Sequence, residues 1–308
     1  MKAYIISYFG SRTKAETRTK RYSKHCEQIE WWQTQYPTMT FDIVAMDYDS
    51  TEYIDNPNIT YINNPVVHPS AARNILLKRF YNDNPDEWAL FMDNDVIQYH
   101  HIDWPHTHIK LCDILEQYPN NFTINNVDIT LIQPSNPGRP GDGAFNAKYS
   151  NEDRYYAKAD WKNNLYFDRT MYHLKGTMFW LRKHPECCLM DEEYYNFDEQ
   201  GKLIPMEDVD FCLNLTHNHR YSYICRNIMI YEWLIDSTWV EANDDANRSI
   251  ENNKQYAVMS EKYNMPADKT IWHKHFKRNG LRPPKQFVTP YTHHREATVF
   301  EQMFSQKT

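Results

Sequence analysis

The sequence predicts an α/β protein whose Rossmann-like mixed sheet is flanked by helices and followed by a C-terminal extension. Three observations carry this. The first ~45 residues alternate strand, helix and strand as a βαβ unit does. A continuously apolar run, Trp88 to Met92, suits a parallel strand covered on both faces. The length, 308 residues, allows one large domain with an appended lobe.

The first strand is expected over Ala3 to Ser7, ending by Gly10. Thr13 to Glu16 has the spacing of a capping box, so a helix should follow and run to about Tyr36, where Pro37 stops it. Phe41 to Met46 reads as the second strand, ending at Asp47, and Ile59 to Ile62 as a third. Pro69-Ser70 offers a turn and N-cap for a helix over Ala71 to Tyr81. The Trp88 strand then runs directly into Asp93-Asn94-Asp95. Beyond it lie an expected helix from Asp103 to Pro119 and a strand from Val127 to Gln133. A Gly/Pro-rich loop follows from Pro134 to Gly143, then strand-like Lys175 to Lys183. An acidic helix start at Met206 to Phe211, a strand from Tyr221 to Glu232 and a basic C-terminal stretch complete the chain. The expected division is a catalytic domain over 1–265, with halves 1–95 and 96–265, and a basic lobe or tail over 266–308.

A formal net charge of −7 makes the overall field repel nucleic acid, so any such contact must come from local basic patches. Aromatic residues make up 15% of the chain, more than a core alone needs, so some rings are expected to line a groove. The six cysteines are scattered apart from Cys187-Cys188 and show no paired metal spacing. That pattern suits reduced thiols and a cytoplasmic location better than a disulfide framework. No segment reaches transmembrane length, and the N-terminal apolar run reads as a buried strand.

Open α/β sheets bind ligands beyond the carboxyl ends of their strands. Asp93 and Asp95 stand there, an i, i+2 pair able to converge on one hard cation that neutralises a diphosphate. Glu207 and Asp208 follow Pro205 at a helix start, where the dipole favours negative charge and should keep a carboxylate ionised as a general base. A solvated turn and a pair of ordinary helix acids are the plain alternatives, and Asp210 belongs with the latter.

In this order the motifs resemble the GT-A glycosyltransferase superfamily: AARN at Ala71 to Asn74, WALFMDND at Trp88 to Asp95, and MEDVDF at Met206 to Phe211. The resemblance covers roughly residues 1 to 265 and implies transfer of a sugar from a nucleotide-sugar donor, by resemblance a UDP-sugar, to an acceptor hydroxyl. It implies Mg²⁺ or Mn²⁺ on Asp93 and Asp95, with Ser7, Tyr8, Asp47, Arg73, Asn74 and Asn94 beside the nucleotide and Gly176 letting the sugar approach the backbone. Asp208 becomes the base, with inversion at the anomeric carbon, and Glu207 a partner of the acceptor hydroxyl. The strand that ought to supply a metal-binding His ends in Glu232, so His273 and His275 stand as substitutes and Lys277 as a clamp on the diphosphate.

For the acceptor, an AT-rich codon signature, rich in Asn, Lys, Ile and Tyr, together with the basic stretch from Trp272 to Lys285, resembles phage enzymes that glycosylate 5-hydroxymethylcytosine in double-stranded DNA. Arg139, Lys148, Arg154, Lys277, Arg278, Arg282 and Lys285 would then supply phosphate contacts. A transferase building bacterial surface polysaccharide and a non-catalytic nucleotide-sugar or glycan-binding module are the rival readings.

Overall fold

The computed structural model describes residues 1–8, 15–46, 54–64, 68–94, 96–98, 107–117, 123–124, 127–135, 164–172, 174, 176–196, 198–199, 203–232, 245–282 and 286–290. Among them one mixed sheet of eleven strands organises the chain. The first four strands are β1 (Lys2–Tyr8), β2 (Thr40–Met46), β3 (Ile59–Asn64) and β4 (Trp88–Asp93). Next come β5 (Val96–Gln98), β6 (Thr123–Ile124), β7 (Val127–Ser135) and β8 (Asn164–Thr170). The last three are β9 (Met178–Arg182), β10 (Tyr221–Glu232) and β11 (Gln286–Pro290).

The strands lie in the order β3-β2-β1-β4-β9-β7-β10-β8-β11, with β5 paired to β10 and β6 to β7. β1 to β4 are mutually parallel, and β9 runs antiparallel to both β4 and β7. This is the expected α/β architecture of a mixed sheet with flanking helices. The order reverses at β1, whose neighbours are β2 on one side and β4 on the other. A crevice at their carboxyl ends is therefore a topological switch point.

The helices are α1 (Ala15–Gln35), α2 (Pro69–Asp83), α3 (Thr107–Gln117), α4 (Glu207–His217), α5 (Asp245–Lys262) and α6 (Trp272–Arg278). Alternation along β4 divides the core. Trp88, Leu90 and Met92 pack with Ile29 and Trp32 of α1 and Leu111 of α3. Ala89 and Phe91 pack with Leu76 and Phe80 of α2 and Phe211 and Leu215 of α4. Phe91 is stacked between Tyr4 and Phe179, with ring centroids 5.0 and 5.2 Å away. A strand buried on both faces needs no polar alternation, which is why its sequence is apolar throughout.

A third layer covers α4. Its outward residues Val209 and Leu213 join Met259 of α5 and Trp272 and Phe276 of α6 in a separate cluster. The extension expected from 266 onward therefore packs against α4, and β11 forms one edge of the main sheet through β8.

Local differences from the expected elements have clear causes. α2 starts at Pro69, and its N-cap is His68, whose Nδ1 accepts from the Ala71 amide at 3.3 Å. Ser70, the expected cap, instead donates its hydroxyl to the Tyr195 carbonyl at 3.1 Å. Pro at the first helical position leaves the cap to the residue before it. Thr13 and Lys14 of the expected capping box, and the Gly/Pro-rich loop apart from Pro134 and Ser135, lie outside the described residues.

Candidate active site

The carboxyl end of β4 is tied to both of its neighbours. The Asn94 amide donates to the Ile6 carbonyl at 3.2 Å and the Asp93 amide to the Thr177 carbonyl at 2.8 Å. Asp93 continues the Ala89/Phe91 face, so its side chain meets α2. There Arg73, buried to 3% exposure, donates one Nη2 to Asp93 Oδ1 and to the Gly176 carbonyl, both at 2.6 Å. The guanidinium also lies 5.5 Å from the centre of the Phe179 ring. Its other terminal nitrogen, Nη1, is buried without a hydrogen-bond partner, as is Thr177 Oγ1 across the strand pair from Asp93.

Gly176 extends this chain to α4: its amide donates to Asp208 Oδ2 at 3.0 Å. A Cβ added at Gly176 would stand 3.1 Å from the Asp208 Cβ, so the glycine permits the approach. Asp208 Oδ1 accepts from the Val209 amide at 2.8 Å. The turn into α4 passes through Met206 at φ 78°, a left-handed conformation rare for a side chain of this size, with no side-chain cap. Strain of this kind persists where the surroundings over-determine it. Met206 packs against a cluster that includes Tyr195, Val209 and Leu213. Separately, the side-chain amide of Asn74 donates to the Met190 carbonyl at 2.9 Å and accepts from the Met190 amide at 2.8 Å.

Arg73, Asp93, Gly176, Glu207 and Asp208 are thus brought together. Three carboxylates face one guanidinium. Burial, followed by the Asp208 charge and opposed by Arg73, pushes the Glu207 carboxyl well above the usual range. Burial also raises Asp208, against the amides of Gly176 and Val209. The helix dipole is expected to favour an ionised carboxylate here; burial opposes it and raises both carboxyls. Asp210 turns to the outer layer, where its Oδ2 pairs with Lys262 at 2.8 Å.

Other expected residues are placed differently. Asn74 spends its amide on Met190, as described. Ser7, fully buried at the end of β1, has its hydroxyl 3.3 Å from His25 Nδ1. Burial holds that imidazole down to about 3, hence neutral, and its Nε2 lies 3.3 Å from the Tyr61 hydroxyl. Asn94 is buried with its Nδ2 unpartnered. Tyr8 ends β1, and Asp47 and Asp95 lie outside the described residues.

His273, His275 and Lys277 belong to α6, on the side of α4 away from the sheet. The His275 ring lies 6.3 Å from that of His217, at the carboxyl end of α4 and about 13 Å of helix rise from Asp208. The structure therefore does not bring the two histidines to the carboxylates, correcting their expected place in a metal shell.

Gln28 of α1 escaped the sequence reading. Its Nε2 donates to the carbonyls of Asp93 and Val96, at 2.9 and 3.0 Å, and so ties together the end of β4 and the start of β5. Gln28→Leu should cost about 1–3 kcal/mol, the penalty for leaving buried carbonyls unpaired, read from urea unfolding.

A hard divalent cation fits the donor chemistry here, because oxygen ligands in excess of cationic partners are what Mg²⁺ and Mn²⁺ take. Among the described residues no three acidic, imidazole or thiol groups form such a site by themselves.

No family model and no curated protein matches the chain. Similar solved structures include A197 from STIV, 12% identical with a TM-score of 0.34, covering 76% of this chain and 85% of that one. They also include the galactosyltransferase LgtC in complex with donor and acceptor sugar analogs, 11% identical with a TM-score of 0.35, covering 99% and 94%. An active-site mutant of LgtC is 13% identical with a TM-score of 0.34 over the same shares. Likeness at this level carries no argument about activity, which has to come from the site.

Proposed function

We propose that the chain is a glycosyltransferase of GT-A type, moving a sugar from a nucleoside-diphosphate sugar, a UDP-sugar first, to an acceptor hydroxyl. One observation supports this above the rest: the carboxylate ending β4 at the switch point is linked through Arg73 and Gly176 to Asp208 on α4. One group suits the leaving diphosphate and the other the attacking hydroxyl.

In this reading the acceptor oxygen bonds to the anomeric carbon as the bond to the diphosphate oxygen breaks. Asp208 takes the acceptor proton, with inversion, and Glu207 orients the hydroxyl. A carboxylate whose affinity for protons is raised by burial is a better base at working pH than one that ionises near 4. Asp93 with Asp95 would hold Mg²⁺ or Mn²⁺, which when bound supplies charge neutralisation at the diphosphate. Arg73 fixes Asp93 at the end of β4.

The acceptor proposed from the sequence is the hydroxymethyl group of 5-hydroxymethylcytosine in duplex DNA. The test is nucleoside diphosphate release from UDP-glucose with Mn²⁺, with and without hydroxymethylated DNA. Release accelerated by that DNA over unmodified DNA supports both donor and acceptor. Release accelerated only by an oligosaccharide moves the acceptor to a surface glycan, and absence of release with any acceptor or donor removes the enzymatic reading. No helix among the described residues is long and apolar enough to cross a membrane.

A further inference from the structure

The outer face of α6 carries a second concentration of charge, opposite in sign to the first. Trp272 and Phe276, fully buried, anchor the helix, and Trp272 Nε1 donates to the Pro266 carbonyl at 2.7 Å. The chain then turns at Gly280, φ 67°, so that the Leu281 amide reaches the Phe276 carbonyl at 2.9 Å. This turn lays Arg282 back beside the helix. A concavity of about 480 Å³ results, lined by His273, Lys274, Lys277, Arg278 and Arg282.

Among the described residues no acid lines it and none of these cations makes an ion pair. Elsewhere Arg79, Arg182, Arg220, Lys254 and Lys262 each pair with a carboxylate. Four unpaired cations held on one rigid scaffold repel one another, and an anion relieves that repulsion. The concavity is also separate from the carboxylate cleft. α4 stands between them, turning Phe211, Cys212 and Leu215 toward the sheet and Val209 and Leu213 toward α6.

We propose that this concavity binds the phosphodiester backbone of a nucleic-acid strand. Four cations distributed along α6 and its following turn exceed what one phosphate can use and suit successive phosphates of a chain. Among the described residues no phenyl, phenol, indole or aliphatic side chain lines it, so they offer contacts to phosphate and no broad apolar ring on which a base would stack. A lipid surface is a poorer match, since an interfacial helix presents an apolar face outward and α6 turns Trp272 and Phe276 inward. Because the whole chain carries −7, the attraction is local and sensitive to salt.

The inference does not depend on glycosyl transfer, and its test needs no donor. A labelled oligonucleotide of random sequence is titrated with the full chain by fluorescence anisotropy at about 50 to 200 mM salt. Binding should weaken linearly in log K against log salt. The double variant Lys277→Glu/Arg278→Glu, at two exposed positions, should bind at least about tenfold more weakly, with a salt slope shallower by about one for each cation that no longer meets a phosphate. Asp93→Asn should bind the strand as the unaltered protein does, which separates this site from the cleft. Three results overturn the proposal: no binding, equal binding by the double variant, or displacement by tripolyphosphate at concentrations equal to the strand. Retention on phosphatidylserine vesicles without oligonucleotide binding would overturn it in favour of a lipid surface.

Discussion

Asp208→Asn is expected to slow glycosyl transfer by about 10²–10⁴-fold, the usual contribution of a positioned general base. The amide oxygen of Asn can still accept from one of the Gly176 and Val209 amides, which now reach separate oxygens of Asp208, so the fold should survive the loss of the other. Stability should respond in the opposite direction. Glu207 and Asp208 both have carboxyls raised by burial, and Glu207 is raised further by its neighbour's charge. Below about pH 3 both carboxyls are protonated in the folded and unfolded chain alike. As pH climbs above that value the unfolded chain releases protons the folded one retains, so stability falls until the folded carboxyls ionise. Removing one member relieves the other. Relative to the parent, the variant should therefore gain melting temperature between pH 4 and pH 8, as thermal unfolding at the two pH values would show. No relative gain over that range would mean that Asp208 is a structural support rather than a strained catalytic group.

Arg73→Met should give the largest loss of stability among single changes at the cleft, about 3 kcal/mol in urea unfolding. The guanidinium is almost fully buried and Asp93 a quarter exposed, so the figure belongs at the lower end of what breaking a buried pair costs. The change removes the Arg73 hydrogen bond from both the Asp93 carboxylate and the Gly176 carbonyl. Arg73→Lys should recover only part of it, because a compact ammonium on a shorter stem loses the guanidinium's contact with the Phe179 ring and falls short of the point where Nη2 meets both acceptors. Donor affinity should fall in both variants. If Arg73→Met unfolds at the parent's denaturant midpoint, the Arg73 bridge is not what holds Asp93 against Gly176.

The strands that build the site could be read from the sequence because they are buried on both faces. β4 is apolar from Trp88 to Met92, and β1 and β2 carry runs that only a covered strand tolerates. α4 was visible from its acids. Elements at the periphery were not. α5 has few apolar positions, and its buried side includes Gln255 and Ser260 beside Met259, too weak a stripe to stand out. β8 buries Leu165 and Phe167 in a short alternation, and β11 follows a basic stretch that reads as solvated.

Within the site, the carboxylates and Arg73 were legible as motif residues, whereas their linkage through the Gly176 backbone was not. Sequence spacing says nothing about which carbonyl a guanidinium reaches. Gln28 and His25 left a signal that went unused: they share the buried stripe of α1 with Ile29 and Trp32. A polar residue on such a stripe must have a partner, and for Gln28 that partner is the Asp93 turn. The histidines of α6 misled for a related reason. The resemblance places them in a metal shell beside the basic residues of a clamp, while Trp272 and Phe276, four apart, commit the helix to the outer face of α4.

The measurement that bears most directly on the central claim is calorimetric titration with UDP-glucose, UDP-arabinose and GDP-mannose, each with and without Mn²⁺, on the parent protein and on Asp93→Asn. A nucleotide-sugar cleft at the carboxyl end of β4 predicts that at least one donor binds, that Mn²⁺ strengthens binding at least tenfold, and that Asp93→Asn abolishes the metal's effect. No binding by any donor, or metal-dependent binding that Asp93→Asn leaves unchanged, would contradict it.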